Sequence, residues 1–172
     1  MSDEASPWPV TVELAEARCG ATLSLIADAK ARTAIALALD LERLDALEAE
    51  VTLSLWLDGA AIEASWQAEI EQICSVSLDP FTTLLAGRFL VRVVPPGSPH
   101  APAIEQEMVI DPDAEDPPDV LGGETIDLGG YVVEHLALEL DPFPRRPGVE
   151  FDAPEAPTAP SPFDVLARLK RD

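Results

Sequence analysis

The sequence predicts an α+β fold, and three observations carry that prediction. Residues 47–57 and 60–70 alternate apolar and polar side chains in two runs joined by Asp58-Gly59, which is strand periodicity on both sides of a turn. Residues 27–41 and 127–141 instead space their apolar side chains for helices. The 172-residue length suits one core with tails. The expected architecture is a twisted antiparallel sheet or half-barrel built on a long hairpin, one face packed by helices 28–40 and 127–140, with an acidic loop and a tethered C-terminal helix. Residues 1–148 form the expected domain, with a proline-rich acidic loop at about 95–124. Residues 149–160 follow as a tether and 161–172 as a short amphipathic helix.

Each element has its own justification. Residues 21–26, ATLSLI, read as a short strand, and the alanine- and leucine-rich stretch after it as a helix capped by Asp28. In the hairpin, a two-residue turn at Asp58-Gly59 pairs Leu57 with Ala60, Leu55 with Ile62, Val51 with Trp66 and Leu47 with Ile70, gathering the apolar side chains on one face. The opposite face carries Glu48, Glu50, Thr52, Ser54, Glu63, Gln67, Glu69 and Glu71 and is expected to be wet. Trp56 interrupts that polar face, where local packing is its expected role. Residues 81–94 read as one or two further strands and 103–110, AIEQEMVI, as another.

Between 105 and 124 the chain has eight acidic residues and no basic one, which reads as a solvated loop. In the 127–141 helix, Leu128, Val132, Leu136 and Leu140 form a stripe widened by Val133 and Ala137, with Asp127 as cap and Gly129-Gly130 weakening the first turn. Pro142 ends it. In SPFDVLARLKRD, Ser161 caps a last helix with Pro162 at its first position. Phe163, Leu166 and Leu169 share one side there, and Arg168, Lys170 and Arg171 gather at the C-terminal end, where the helix dipole favours cations.

Charge narrows the function classes. Thirty-two Asp and Glu against eleven Lys and Arg give a formal charge of -21, which repels nucleic acid and anionic membranes at long range. The first ten residues have neither the basic nor the apolar region of an export signal, and no window approaches the roughly 18–20 apolar residues of a spanning helix, so the expected location is cytoplasmic. Cys19 and Cys74, with no close Cys or His partners, are expected to be small core hydrophobes. No nucleophile elbow, phosphate-binding glycine loop or metalloprotease motif occurs, and DPDAED at 111–116 lacks the glycine of a calcium loop. His100 lies among prolines, and His135, in mid-helix, reads as a satisfied or solvent-facing histidine in preference to a general base. The expectation is a protein that is not an enzyme and takes no cofactor, metal or small-molecule substrate.

What remains are interaction features: the polar face of the sheet, Arg88 and Arg92, Arg145 and Arg146, and the cationic helix with Phe163, Leu166, Arg168, Leu169 and Lys170. Arg88 and Arg92 share a strand face about 13 Å apart. Arg145 and Arg146 lie between prolines, held extended where they either pair with body carboxylates such as Glu139, Asp141 and Glu150 or meet a partner. Aromatic residues are only 5% of the chain and no basic stripe interleaves them, so a base-stacking platform has little support.

Three stretches carry a resemblance: EIEQICSVSLDPF at 69–81, TIDLGGYVVEHLALELDPFPRRPG at 125–148 and SPFDVLARLKRD at 161–172. Together they resemble the YceD family of large ribosomal RNA subunit accumulation proteins, in its alphaproteobacterial form. The resemblance implies a bacterial cytoplasmic factor that supports synthesis, processing or stability of large-subunit ribosomal RNA, with ribosomal RNA or a large-subunit ribosomal or assembly protein as partner. A generic protein-interaction module, or an acidic chaperone for a basic protein, is the alternative. Many relatives have Cys-x-x-Cys where this chain has Cys74-Ser75-Val76-Ser77, and further cysteines near the proline-rich end. Ser77 replaces the second thiol here and PRRPG has none, so a metal-binding role does not carry over.

Overall fold

A computed structural model describes residues 6–102 and 116–151. The architecture is α+β, with a five-stranded mixed sheet, a two-stranded sheet and three helices among the described residues. In chain order the elements are β1 Thr11–Glu13, α1 Leu14–Ala17, β2 Ala21–Ile26, α2 Ala29–Ala38, β3 Arg43–Trp56, β4 Gly59–Ile73, β5 Pro80–Val94, β6 Asp119–Val120, β7 Thr125–Asp127 and α3 Leu128–Leu138. The larger sheet runs β2-β3-β4-β5-β6 and is open. It is not wholly antiparallel as expected, because Val93 and Val94 of β5 pair in parallel with Asp119 and Val120 of β6. The long connection after β5 returns the chain to that edge in the same direction, which permits parallel pairing where a tight turn does not. The strand expected at 103–110, the tether beyond Phe151 and the helix at 161–172 lie outside the described residues.

The hairpin register differs from expectation. Leu55 pairs with Ala60, Leu53 with Ile62, Val51 with Ala64, Ala49 with Trp66 and Leu47 with Ala68, and a bulge at Leu44/Ala46 precedes them. The turn residues are Leu57 and Asp58, with Leu57 in the left-handed region at φ 51°, while Gly59 already lies in the strand. Gly59 serves close packing instead of the turn: a Cβ there would lie 1.8 Å from the Val93 carbonyl oxygen. The register moved by two residues, not one, so no side chain changed face.

That conserved parity explains why the core matches the alternation. Leu47, Ala49, Val51 and Leu53 from β3, with Ile62, Ala64, Trp66, Ala68 and Ile70 from β4, are buried with Phe89 and Val93 of β5. Ile35 and Ala36 of α2 and Leu128, Val132, Val133 and Leu136 of α3 join the same cluster. Ala137, placed on the apolar stripe by its spacing, is exposed, and Leu140 lies past the helix end and is half-buried. The 81–94 stretch is one continuous strand paired with β4 along nearly its whole length.

The N-terminal residues form a second layer the periodicity did not reveal. Val12 pairs with Ile126 in the small β1-β7 sheet, the Val10 carbonyl accepts from the Leu128 N–H, and Trp8 is buried. Gly129 is shaped by this layer, since a Cβ would sit 1.9 Å from the Trp8 carbonyl oxygen. The glycine that weakens the helix intrinsically is the residue that lets the N-terminal segment at Trp8 cross it closely.

Both expected caps form. The Asp28 carboxylate accepts from the Ala31 N–H at 2.7 Å, whereas Asp127 Oδ1 accepts from both Gly130 and Val10 N–H groups at 3.1 Å. Asp28→Ala is therefore expected to lower stability by about 1 kcal/mol and Asp127→Ala by about 2 kcal/mol, because the second change also strips a tertiary bond. Urea denaturation of the two variants measures the difference, and equal losses would contradict the dual role of Asp127.

Candidate functional site

The extended segment after α3 is pinned to the turn between β4 and β5. Cys74 opens that turn: its N–H donates to the Asp79 carbonyl at 2.9 Å, its carbonyl accepts from Leu78, and Leu78 takes a φ of 60°. The Cys74 side chain is buried and faces the proline-rich strap. Its Sγ accepts from the backbone N–H of Ser77 at 3.5 Å and of Arg146 at 3.4 Å, while Ser75 N–H donates to the Pro144 carbonyl at 2.8 Å. The Arg146 guanidinium reaches Asp79 at 3.7 Å. Two segments 72 positions apart are thus fastened by two backbone donors and one ion pair.

The sulfur carries the electrostatic signature of this arrangement. Donation from Ser77 N–H, then from Arg146 N–H and the Ser77 hydroxyl, lowers the Cys74 pKa to about 6 against the opposing effect of burial. The usual thiol value is 9.0. Because the folded-state pKa is depressed, the thiolate's contribution to stability is fully present above pH 9 and is lost as pH falls through about 6. Cys74→Ala, which leaves two inward N–H groups without an acceptor, is expected to cost about 1–3 kcal/mol. Chemical denaturation from pH 5.5 to 9 is expected to show the gap between the native chain and this variant widening as pH rises; a pH-independent gap would remove the thiolate from the account.

Arg146 is therefore a structural clasp, paired with Asp79 instead of Glu139, Asp141 or Glu150. Its neighbour Arg145 is exposed at the surface of the strap. Asp79–Arg146 is an exposed pair and contributes less than about 1 kcal/mol, so the backbone bonds around Cys74 dominate the fastening. Cys19, by contrast, is exposed and not part of the core, because it follows the short α1 at the surface; its Sγ donates to the Ala15 carbonyl at 3.4 Å.

A second candidate site is the open face of the five-stranded sheet. Cross-strand register sets out its rows: Thr22-Thr52-Glu63-Leu90, Ser24-Glu50-Ser65-Arg88 and Ile26-Glu48-Gln67-Ala86. Ala46-Glu69-Leu84 follows below. These side chains are exposed except for half-buried Ala46 and Glu69, and the central rows line a shallow trough of about 760 Å³. The carboxylates occupy β3 and β4, while Arg88 and Arg92 stand on β5. At the end of the face the Arg92 guanidinium lies 5.4 Å from the Trp56 ring centre, so Trp56 has the local packing role its half-burial requires. Arg43 bridges Asp45 at 2.6 Å and Glu71 at 3.2 Å, which partly neutralises the opposite end.

The structure does not bring the arginine pairs together into one basic site. Arg88 and Arg92 lie on the open face, and Arg145 and Arg146 on the strap beside the β4-β5 turn. Phe163, Leu166, Arg168, Leu169 and Lys170 lie outside the described residues. His135 donates through Nδ1–H to the Tyr131 carbonyl at 2.9 Å and stacks on Phe89 with ring centres 3.8 Å apart, whereas His100 is exposed. The Tyr131 hydroxyl donates to Asp119 at 3.1 Å, joining α3 to β6, and burial with that carboxylate raises its pKa. Among the described residues no group of three His, Cys, Asp or Glu side chains converges as a metal ligand set, and no helix is long and apolar enough to cross a membrane.

The Cys74 junction was missed as a unit because its partners are distant in sequence. Its only local signals were a buried thiol before a tight turn and a proline-fixed strap 70 residues later. A comparison with protein families matches residues 62–170, from β4 through the strap and beyond, to the model described as large ribosomal RNA subunit accumulation protein YceD. No curated protein and no solved structure matches the chain.

Proposed function

This chain belongs to the YceD family of large ribosomal RNA subunit accumulation proteins, and on that footing we propose that it supports large-subunit ribosomal RNA by binding a ribosomal or assembly component, without catalysing a reaction itself. The observation that carries the reading is the match over residues 62–170, which spans the β4 and β5 part of the open sheet face, the clasped strap and the cationic C-terminal sequence. Electrostatics favour a protein as the direct partner. A chain of charge -21 with carboxylates on its open sheet face opposes a phosphate backbone and attracts a basic ribosomal protein.

In this reading the protein holds a basic component in a productive state, and the ribosomal RNA accumulates as a consequence. Arg145, presented by the strap, and the C-terminal residues Phe163, Leu166, Arg168, Leu169 and Lys170 supply the remaining contacts. Cytoplasmic action follows from the same role. Affinity purification of the tagged full chain from its native cell, with and without ribonuclease, tests the reading. Recovery of large-subunit proteins that survives ribonuclease supports it, and recovery of large-subunit RNA alone, lost on ribonuclease treatment, rejects the protein-partner form.

A further inference from the structure

We propose that the open face of the β3-β4 hairpin is the docking surface for a lysine- and arginine-rich protein segment that also carries apolar side chains. This inference rests on the partner-binding reading above and gives that partner a surface and a chemistry. Nothing among the described residues covers the face: both packed helices bury their apolar residues against the other side of the sheet. Glu48 and Glu50 stand two residues apart on β3, so their side chains repeat about every 7 Å along one face, and Glu63 and Glu69 flank them on β4. Alternate basic side chains on an extended segment repeat at the same spacing.

The borders distinguish this surface from an acidic patch made only for solubility. Leu84 and Leu90 on β5 are 77% and 58% exposed, and Ile26 on β2 is 66% exposed. They occupy the same side of the sheet as the carboxylates and bracket them from both edges. A plain polycation satisfies the carboxylates but leaves these side chains in water. A segment that mixes basic and apolar residues satisfies the charges and also removes the apolar border from solvent, which adds a driving force independent of salt. A nucleic acid meets repulsion along the carboxylate lane on β3 and β4, and the cations of this face, Arg88 and Arg92, stand to one side of that lane on β5.

The test uses the full chain and two fluorescent 15-residue probes of equal charge, one alternating lysine with leucine and serine and one of lysine with serine alone. Anisotropy is expected to show the leucine-containing probe binding at least tenfold more tightly. Glu48→Gln/Glu50→Gln/Glu63→Gln is expected to weaken it tenfold or more, while the charge-matched Glu13→Gln/Glu16→Gln/Glu134→Gln control changes it less than twofold. Leu84→Ser/Leu90→Ser is expected to abolish the preference between the probes. The substituted glutamates and leucines are exposed, and circular dichroism checks that the variants fold.

Equal weakening in the two glutamine triples overturns the proposal, because net charge alone then explains binding. A tenfold gain on Arg168→Ala/Lys170→Ala/Arg171→Ala also overturns it, because the chain's own terminus is then the occupant. So does a 15-nucleotide RNA that binds the native chain and is lost in the Glu48/Glu50/Glu63 variant. If the probes fail while depletion of the protein still lowers large-subunit RNA, the docking face is refuted and the family reading stands.

Discussion

Gly59→Ala is expected to destabilise the protein by about 3 kcal/mol, an effect far larger than the loss of a turn glycine. In the native register Gly59 pairs with Trp56, and its missing Cβ makes room for the β5 backbone: the added carbon would meet the Val93 carbonyl oxygen at 1.8 Å and Val94 Cα at 3.0 Å. Neither obstacle is the movable end of a side chain. Relief requires separating β4 from β5 at the point where β5 also pairs with β6. If Gly59 served only to allow a left-handed turn, alanine would cost about 1–2 kcal/mol. The left-handed position is Leu57, which is 51% exposed, so Leu57→Gly is expected to be neutral or stabilising by up to about 1 kcal/mol. Urea denaturation of both variants separates the two registers; a loss below about 1 kcal/mol for Gly59→Ala would contradict the one described.

Trp66→Ala is expected to cost about 3–5 kcal/mol, against about 1 kcal/mol for Trp56→Ala. The two tryptophans lie ten residues apart in the same hairpin but on opposite faces of the sheet. Trp66 is 4% exposed, paired across from Ala49 and flanked along its strand by Ala64 and Ala68, with Gly87 under its ring on β5. Small residues surround it because one large side chain fills the space above them all, so its removal leaves a cavity that alanine and glycine cannot refill. Trp56 is half-buried at the edge of the open face, where Arg92 is its chief neighbour. Thermal and chemical denaturation of the pair measures the contrast. Similar losses would mean that the open face is packed against something and is not a free surface.

These two positions also show what was legible in the sequence. Alternation assigned the face of Trp66 and of nearly every hairpin residue, because parity is a local property that survives a two-residue slip. The register itself was not legible: Asp-Gly suits a turn, and only the backbone of β5, 34 positions beyond Gly59, reveals that the glycine is needed elsewhere. Helix caps at Asp28 and Asp127 were readable because a cap acts within three residues. The β1-β7 pairing and the Cys74-Arg146 clasp were not, since each joins segments over 70 positions apart and leaves no periodic trace. For the same reason Arg145 and Arg146, adjacent and alike in sequence, differ in surroundings: the Arg146 N–H is turned toward a buried sulfur and its guanidinium reaches Asp79, although both side chains are exposed.

The acidic open face was visible as a list of glutamates, but its meaning came from what stands beside them. Leu84 and Leu90 belong to a run in which both alternating sets contain apolar residues, so the sequence could not say which leucines remain in water. The sheet register places them beside Glu69 and Glu63, on the side opposite the core. Packing thus converts a composition bias into a surface with a defined chemistry.

The central claim is that this protein supports large-subunit ribosomal RNA, and its most direct test is the ratio of large- to small-subunit ribosomal RNA after depletion in the native cell. The account predicts that the ratio falls on depletion and is restored by the full chain. An unchanged ratio in cells verified to lack the protein would contradict it.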